Sequence, residues 1–549
     1  MSENISYLSG RKGLHENLFE RISWMAETED TANTEKIQEL ARDYLIGEST
    51  IHSTISFYDL LRPENKDKKA YVCNGSACMC SGTQPRVRSE LKKNFRDEEI
   101  GEMTCLGRCH ENGAFQYNGQ NYSGIAIDNI TQIIESKKTI QEKYASLASG
   151  TAILMQTPLT AEEFALQLRN LFTLNPEHVL DEIKKSDLRG RGGAGFPMGL
   201  KLESVRKAEG ERKFIVCNAD EGDPGAYSDR YLMEQQPLRV LLGMIIAAYI
   251  SSADTGIIYI RAEYPESMET IEKSIRELEE NSLLGNDILG SGFSFTLKLI
   301  KAKGAYVCGE ETALLSSIEG QRPEVRVRPP FPARKGLFNM PTLVNSVETL
   351  ANLPFIVEHG GSKFNSIGSS QSKGTKLISL DSFFNRPGVY EVEMGTPLAT
   401  VVEQLGGGFK ENVKALHIGG PLGGLVPVSD ISSLQISFES FAEKGILLGH
   451  GSIVSIPEDF PMMGYIKHLF RFTVHESCGK CFPCRLGSVR GLELLQRATD
   501  GDYRIDRELF TDLLDTMQQG SLCMLGGGLP LPVKNALQYF DNELRDHFD

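Results

Sequence analysis

Five of the chain's eleven cysteines lie between Cys73 and Cys109, four between Cys478 and Cys523, and only Cys217 and Cys308 fall between those groups. A structural scatter would not produce two clusters at opposite ends, so each end has to fold into something that gathers thiols. The chain opens Met1-Ser2-Glu3-Asn4, without a basic-then-apolar signal pattern. Its most apolar run, Val240–Ile260, is interrupted by Ser251, Ser252 and Asp254, and reads as a buried helix followed by a core strand rather than a bilayer span. A cytoplasmic protein without direct membrane insertion is expected. In that compartment disulfides are disfavoured, and metal or redox chemistry takes their place. A formal net charge of -15 argues against a nucleic-acid partner, since phosphates reward the opposite sign.

The spacing within each cluster narrows the chemistry. Cys73-x4-Cys78 and Cys105-x3-Cys109 place two pairs in two separate loops, the first delivered by an apolar strand Ala70-Tyr71-Val72. Four thiolates held this way suit a 2Fe–2S cluster. Structural zinc is the competing reading, although zinc sites favour tighter C-x2-C pairs. Cys80 stands too close to Cys78 to be an obvious ligand and reads as a small buried residue. At the other end, Cys478-x2-Cys481-x2-Cys484 with the remote Cys523 has the ligand number and tight spacing of a 4Fe–4S cluster.

Between the clusters lies RGRGGAGFP, Arg189–Pro197. Gly190–Gly195 satisfies G-x-G-x-x-G, but that fingerprint needs a strand before it. Here a helix precedes it, capped by Asn175 with Pro176 in its first turn. The run is either a flexible turn or a loop gripping a phosphate and a ring, the latter favoured by its arginines and by Phe196-Pro197. Two acidic turns follow apolar segments. Phe214–Cys217 leads into NADEGDPGAYSDR, Asn218–Arg230, and an expected strand Ala305–Cys308 leads into Gly309-Glu310-Glu311-Thr312. Each is a solvated acidic loop or a binding loop; glutamates in a first helical turn also complement the helix dipole.

Taken together, these segments resemble a known family. FYDLLRPENKDKKAYVCNGSACMCSGTQ…TCLGRCHENGAF is similar to the thioredoxin-like 2Fe–2S subunit of respiratory complex I, the 24-kDa type. The RGRGGAGFP, NADEGDPGAYSDR, GEET and RPPFPARKGLFNMP segments resemble the 51-kDa flavoprotein subunit and its soluble relatives, the diaphorase subunits of NAD-linked formate dehydrogenases and hydrogenases. The resemblance implies an FMN pocket that also receives NAD(H) without a Rossmann motif. In it Gly190, Arg191, Gly192, Gly193 and Lys201 line the FMN with Asn218, Asp220 and Glu221, while Tyr306, Gly309, Glu310 and Asn345 close it. Phe196 and Phe331 sandwich the adenine, Glu311 meets the adenosine ribose, and Arg328 stands where the family often has lysine. Glu221 and Asp223 are the expected catalytic pair. Leu202 and Ser204 replace aromatics of the respiratory members, and the EGDPG spelling around Asp223 is closer to the soluble ones.

The implied architecture is an α/β multidomain chain. It comprises an N-terminal helical segment (1–69), a thioredoxin-like 2Fe–2S domain (70–150) and an FMN/NAD domain (151–365), followed by a β-grasp domain (366–440) and a helical 4Fe–4S domain (441–549). A helix near Ile130–Ser146 is expected to join the second and third. No further ferredoxin-like cysteine set follows Cys523. The chain is expected to be the NAD(H)-reactive subunit of a soluble redox enzyme, passing single electrons to or from a catalytic large subunit. Formate dehydrogenase is the first expectation for that partner, hydrogenase the second and a bifurcating assembly the third. The NADH-input module of complex I is the rival assignment, as is an adaptor without flavin.

Overall fold

A computed structural model describes residues 13–28, 34–136, 142–501 and 503–549. Three short helices open it, Leu18–Thr28, Thr34–Tyr44 and Glu48–Ile55. Their apolar faces have nothing of their own to cover and pack instead on the central domain: Phe19, Ile37, Tyr44 and Tyr58 share one core with Val216, Ile257, Tyr259 and Leu315. Tyr58 donates to Ser317 Oγ at 2.7 Å, and Asn17 donates to the Ile318 carbonyl at the same distance.

The strand expected at Ala70 is present as Ala70–Cys73, in a four-stranded sheet ordered Ile100–Met103, Ala70–Cys73, Phe115–Tyr117, Gln120–Tyr122. It pairs parallel with the first and antiparallel with the third. Both cysteine pairs leave the same end of this sheet.

The central domain holds four parallel strands in the order Thr296–Lys301, Thr255–Ile260, Phe214–Ala219, Thr342–Ser346. Thr255–Ile260 is buried along its whole length, as continuous apolar runs in parallel sheets are. The apolar run before it forms the helix Pro237–Ser251, capped by Ser252 in the left-handed conformation. The helix Pro176–Ser186 is capped by Asn175, whose side chain accepts from the Glu177 amide, and it stops at left-handed Asp187 just before the glycine loop.

Ala305–Cys308 is not the strand expected from its apolar run. Tyr306–Gly309 is a 3₁₀ turn, closed by Glu310 N–H on the Val307 carbonyl. The Tyr306 amide is taken by the Glu476 carboxylate at 2.8 Å, so this donor serves another domain rather than a ladder.

The third sheet has six strands: Gly424–Pro427, Val413–Ile418, Ser452–Pro457, Thr375–Leu380, Gly388–Glu393 and Ala145–Ser149. Two expected boundaries do not coincide with its packing. Ala145–Ser149 pairs parallel with Gly388–Glu393, so residues before position 150 complete a sheet formed far downstream. Ser452–Pro457 lies in the middle of that sheet, beyond the expected boundary at 440. Of the expected joining helix near Ile130–Ser146, Ile130–Ser136 is helix, residues 137–141 lie outside the described residues, and Ala145–Ser149 is strand. The C-terminal part is helical, with Met462–Glu476, Phe482–Thr499, Arg507–Gly520 and Pro530–Tyr539 around a core of Leu469, Phe470, Leu495, Phe510 and Val533. Among the described residues no helix is long and apolar enough to cross a membrane.

Candidate functional site

The loops that follow the four parallel strands meet at one edge, where ligands bind in open α/β sheets. The glycine loop enters from the side. Arg189 and Pro197 form an isolated bridge, Gly190 N–H donates to the Phe196 carbonyl at 2.9 Å and Met198 N–H to the Leu188 carbonyl at 2.8 Å, so the nine-residue segment closes on itself. At Gly193 φ is +136° and a Cβ would meet no protein atom within 4 Å, which leaves its face open for close approach by a ligand. Gly192 is the opposite case, with Ser346 3.0 Å from where its Cβ would be.

Arg191 does not point outward. Its guanidinium is fully buried and donates to the Lys373 carbonyl at 2.5 Å, while its amide donates to Thr349 Oγ1 at 2.8 Å. Burial pulls its pKa down to about 10. A ligand at this loop therefore meets Arg191 through its backbone, and the side chain pins the loop to the structure behind it.

The acidic turn supplies two buried carboxyls, Asp220 and Glu221, and a half-buried one, Asp223. Asp220 Oδ2 has no hydrogen-bond partner, and burial drives this carboxyl well above the ordinary range. Asn218 donates to the Gly309 carbonyl at 2.7 Å, linking the two acidic loops. Asp223 accepts from the Tyr306 hydroxyl at 2.6 Å. Glu221 caps the helix Ser228–Gln235, accepting from the Asp229 amide at 2.9 Å and the Arg230 amide at 3.0 Å, and from the Tyr264 hydroxyl at 3.1 Å. Arg261 donates to the Glu221 carbonyl at 2.5 Å and to the Thr104 carbonyl at 3.0 Å, beside Cys105.

Opposite them, Lys201 donates to Glu311 at 3.0 Å and to the Val344 carbonyl at 2.6 Å. Arg328 reaches the same Glu311 carboxylate at 3.2 Å. Glu310 is turned inward as the cap of the helix Glu311–Ile318, accepting from the Thr312 and Ala313 amides, both at 2.9 Å. Asn345 is buried against Met198. Phe196 and Phe331, by contrast, expose more than half their surface, at 55% and 57%. Large rings left in water at the rim of a polar cleft are suited to stacking on a flat ligand.

Cys73, Cys78, Cys105 and Cys109 are all buried and unoxidised. Cys105 and Cys109 sulfurs are 3.5 Å apart. Contact with Cys109, aided by Arg261, holds Cys105 down to about 6, and the Cys109 thiol in turn feels Cys105, Cys78 and Cys73. Cys80 lies outside the set, in the core of the C-terminal domain. In the second set, Cys478 and Cys484 are buried while Cys481 and Cys523 are half-buried, at the starts of the helices Phe482–Thr499 and Met524–Gly528. A Cβ at Gly526 would fall 3.0 Å from Cys484 Sγ, so glycine there lets the Cys523 turn close on the other cysteines. Burial pushes Cys523 up to about 12, reinforced by Glu310 and by Cys478 and Cys484. The acidic turn that borders this cleft thus borders the C-terminal cysteines as well.

These residues fit the groups that the sequence implies. An unpartnered buried carboxyl at Asp220, the open face of Gly193 and the Lys201 ammonium suit a cofactor with both hydrogen-bonding ring edges and anionic groups. Two sets of four converging thiols suit iron–sulfur clusters. Sequence reasoning missed Arg261, Tyr264 and His450, which hold Glu221. It also missed Asp59, Glu263 and Glu476, which line a small polar cavity with Asp220 and Tyr306. Arg261 and Tyr264 follow a strand end, the one signal that pointed to them.

Residues 183–355 match the Nuo51 FMN-binding domain, 464–547 the NADH-ubiquinone oxidoreductase-F iron-sulfur binding region, and 16–138 the thioredoxin-like [2Fe-2S] ferredoxin. The chain is 42% identical over 385 residues to the NADP-reducing hydrogenase subunit HndC of Solidesulfovibrio fructosivorans, covering 70% of this chain and 78% of that one. With the NAD-reducing hydrogenase HoxS subunit alpha of Cupriavidus necator it shares 33% over 527 residues, covering 89% and 85%. With an NADH-quinone oxidoreductase subunit of Rhizobium meliloti it shares 40% over 377 residues, 68% and 89%. A crystal structure of NAD+-reducing [NiFe]-hydrogenase in the air-oxidized state superposes with a TM-score of 0.86 at 26% identity, covering 100% of this chain and 95% of that one.

Proposed function

The chain belongs to the family of NADH-reactive FMN and iron–sulfur subunits shared by complex I and NAD-linked hydrogenases, and we propose that within it this protein is the diaphorase subunit of a hydrogenase. The observation that carries the reading is continuity. The 3₁₀ turn Tyr306–Gly309 lies against Asp223 and Asn218 on one side, and the Glu310 carboxylate that follows it acts on Cys523 on the other. A bound FMN supplies conversion between a two-electron hydride exchange with NAD(H) and single-electron transfer. The chain's own residues position both reactants. Gly193 gives backbone approach, with Gly190 and Gly192 packed against Phe196 and Ser346 to shape the loop that presents it. Lys201, Asn218 and Asp220 give polar contacts, and Phe196 and Phe331 offer faces for the adenine. Glu311 stands ready for the ribose hydroxyls, with Arg328 and Lys201 holding its carboxylate.

Hydrogenase is put ahead of the complex I module because the match to the hydrogenase alpha subunit runs through the fused N-terminal domain, over 89% of this chain, whereas the NADH-quinone oxidoreductase relative covers 68%. It is put ahead of formate dehydrogenase because the relatives and the solved structure described above include hydrogenases. A partner surface is available next to the C-terminal cysteines. Phe482, Leu486 and Val489 form one exposed helix stripe, and exposed Met524 adjoins Cys523. The test is to purify the chain with its native partners under anaerobic conditions and assay NAD+ reduction with hydrogen and with formate. Hydrogen-dependent reduction supports the reading; formate-dependent reduction alone replaces hydrogenase with formate dehydrogenase.

A further inference from the structure

Glu221 belongs to a closed group of three titratable side chains, with Asp229 and His450. His450 comes from a distant part of the chain, the turn entering the strand Ser452–Pro457 of the six-stranded sheet. Its Nε2 lies 3.2 Å from Asp229 Oδ2, and its Nδ1 lies 3.5 Å from Glu221 Oε1 and 3.4 Å from Ser228 Oγ. All three side chains are buried. Each ring nitrogen therefore faces a carboxylate, an arrangement that is satisfied when both nitrogens carry protons. Two buried carboxylates this close without a cation would drive one of them out of its charged form.

A third carboxylate, Asp223, also feels the His450 charge but takes the Tyr306 hydroxyl, and the surrounding cations leave the neutralising part to the imidazole. Lys376, on the strand Thr375–Leu380 packed beside His450, is committed to buried Glu348. Arg261 bonds the Glu221 backbone carbonyl and pairs its guanidinium with Glu263, while Tyr264 gives Glu221 a hydroxyl but no charge. Asp229 spends its other oxygen on the Glu348 amide, at 3.0 Å.

We propose that His450 is a positioning residue, a buried imidazolium supplied by the six-stranded sheet that clamps Glu221 and Asp229 and so fixes the orientation and charge of Glu221 at the flavin-side cleft. The link to FMN rests on the function proposed above; the clamp itself does not. Burial lifts Glu221 to about 8, with His450 pulling against the rise. Burial likewise opposes charge on His450, yet Asp229 and Glu221 hold it up to about 9. Removing the cation should leave Glu221 harder to ionise still.

Infrared spectroscopy of the FMN-free protein tests this without reference to turnover. The carboxylic C=O band of Glu221, assigned by its loss in Glu221→Gln, should titrate near pH 8 in the wild type. In His450→Gln its midpoint should move up by more than about one unit, a ten-fold or greater loss of acidity. His450→Lys should keep it near the wild-type value. The pH profile of NADH–dye turnover in the reconstituted variants should shift in the same direction, in kcat more than in KM. An unmoved Glu221 band in folded His450→Gln overturns the proposal. Should that variant not fold, ring-labelled histidine in the wild type decides: a doubly protonated ring at pH 7, assigned by its loss in His450→Lys, supports the clamp, and a neutral one overturns it. Wild-type protein that binds no FMN would instead sink the functional reading and leave this titration standing.

Discussion

The Tyr306 hydroxyl donates to the Asp223 carboxylate at 2.6 Å and ties together the loops that follow two different segments of the central domain. Asp223 is half-buried, and loss of hydration raises its pKa, while the tyrosine opposes the rise. Tyr306→Phe leaves that carboxyl without its donor, and a hydrogen bond to a charged group is worth about 1.5–3 kcal/mol. The loss should be larger at alkaline pH, where Asp223 is ionised, than in acid, where it is protonated. Denaturant unfolding at the two pH values checks the size and the sign; equal losses at both would contradict it.

Acid should loosen the helix Met462–Glu476, which connects three domains. His417, on the strand Val413–Ile418, lies 2.7 Å from the Tyr465 hydroxyl, and His468 lies 3.3 Å from Ser76, between Cys73 and Cys78. Burial pulls the two down to about 3 and about 4 from an ordinary 6.5. Because the folded pKa values are depressed, the stabilisation is complete above pH 6.5 and is lost as pH falls towards them. Between pH 6.5 and 5 each histidine should remove up to about 2 kcal/mol. His468→Asn should flatten the unfolding profile in that window by roughly its share, and an unchanged slope would argue against it.

Iron and acid-labile sulfide should fit one 2Fe–2S and one 4Fe–4S centre. Cys481→Ser should lose the 4Fe–4S signal, whereas serine at Cys80, Cys217 or Cys308 should leave iron content nearly intact. Their stabilities should differ. Cys308 has the Tyr58, Tyr259 and Ser317 hydroxyls within reach, so a serine there finds partners. Cys217 is fully buried on the strand Phe214–Ala219 among apolar neighbours, and an unpaired hydroxyl there costs about 1–3 kcal/mol. Metal analysis with thermal unfolding reads both; zinc in the N-terminal set after anaerobic purification would overturn the cluster assignment.

Cofactor choice should turn on Glu311. Its carboxylate repels the extra phosphate of NADPH, but Lys201 and Arg328 both lean on it. Glu311→Gln frees two cations at once. The ratio of kcat/KM for NADPH over NADH should rise by about ten-fold or more, equivalent to about 1.4 kcal/mol. Equal efficiency with both nucleotides in the unaltered protein would remove Glu311 from this role.

Much of this arrangement was legible in local sequence because local rules decide it. The Asn175 cap, the helix before the glycine run and the strand into Cys73 each depend on a few adjacent residues. Pairing across long separations was not legible. Ala145–Ser149 becomes a strand because Gly388–Glu393 offers it an edge, and no nearby residue signals that. Ala305–Cys308 has the apolar run of a short core strand, but it forms a 3₁₀ turn, and Glu476 from another domain takes the Tyr306 amide. Arg191 looked like a phosphate ligand from its glycine neighbours, yet Lys373 and Thr349 draw it inward. His450 carries no motif at all, and only the fold brings it to Glu221.

The central claim is a division of labour: the cleft at the sheet edge reacts with NADH, and the C-terminal cysteine set carries electrons onward. It is tested most directly by measuring two rates on Cys484→Ala, assembled with its native partners and shown to retain FMN and fold. NADH–dye reduction should stay within a few-fold of wild type, while partner-linked NAD+ reduction should fall to background. Equal collapse of both rates would contradict the account.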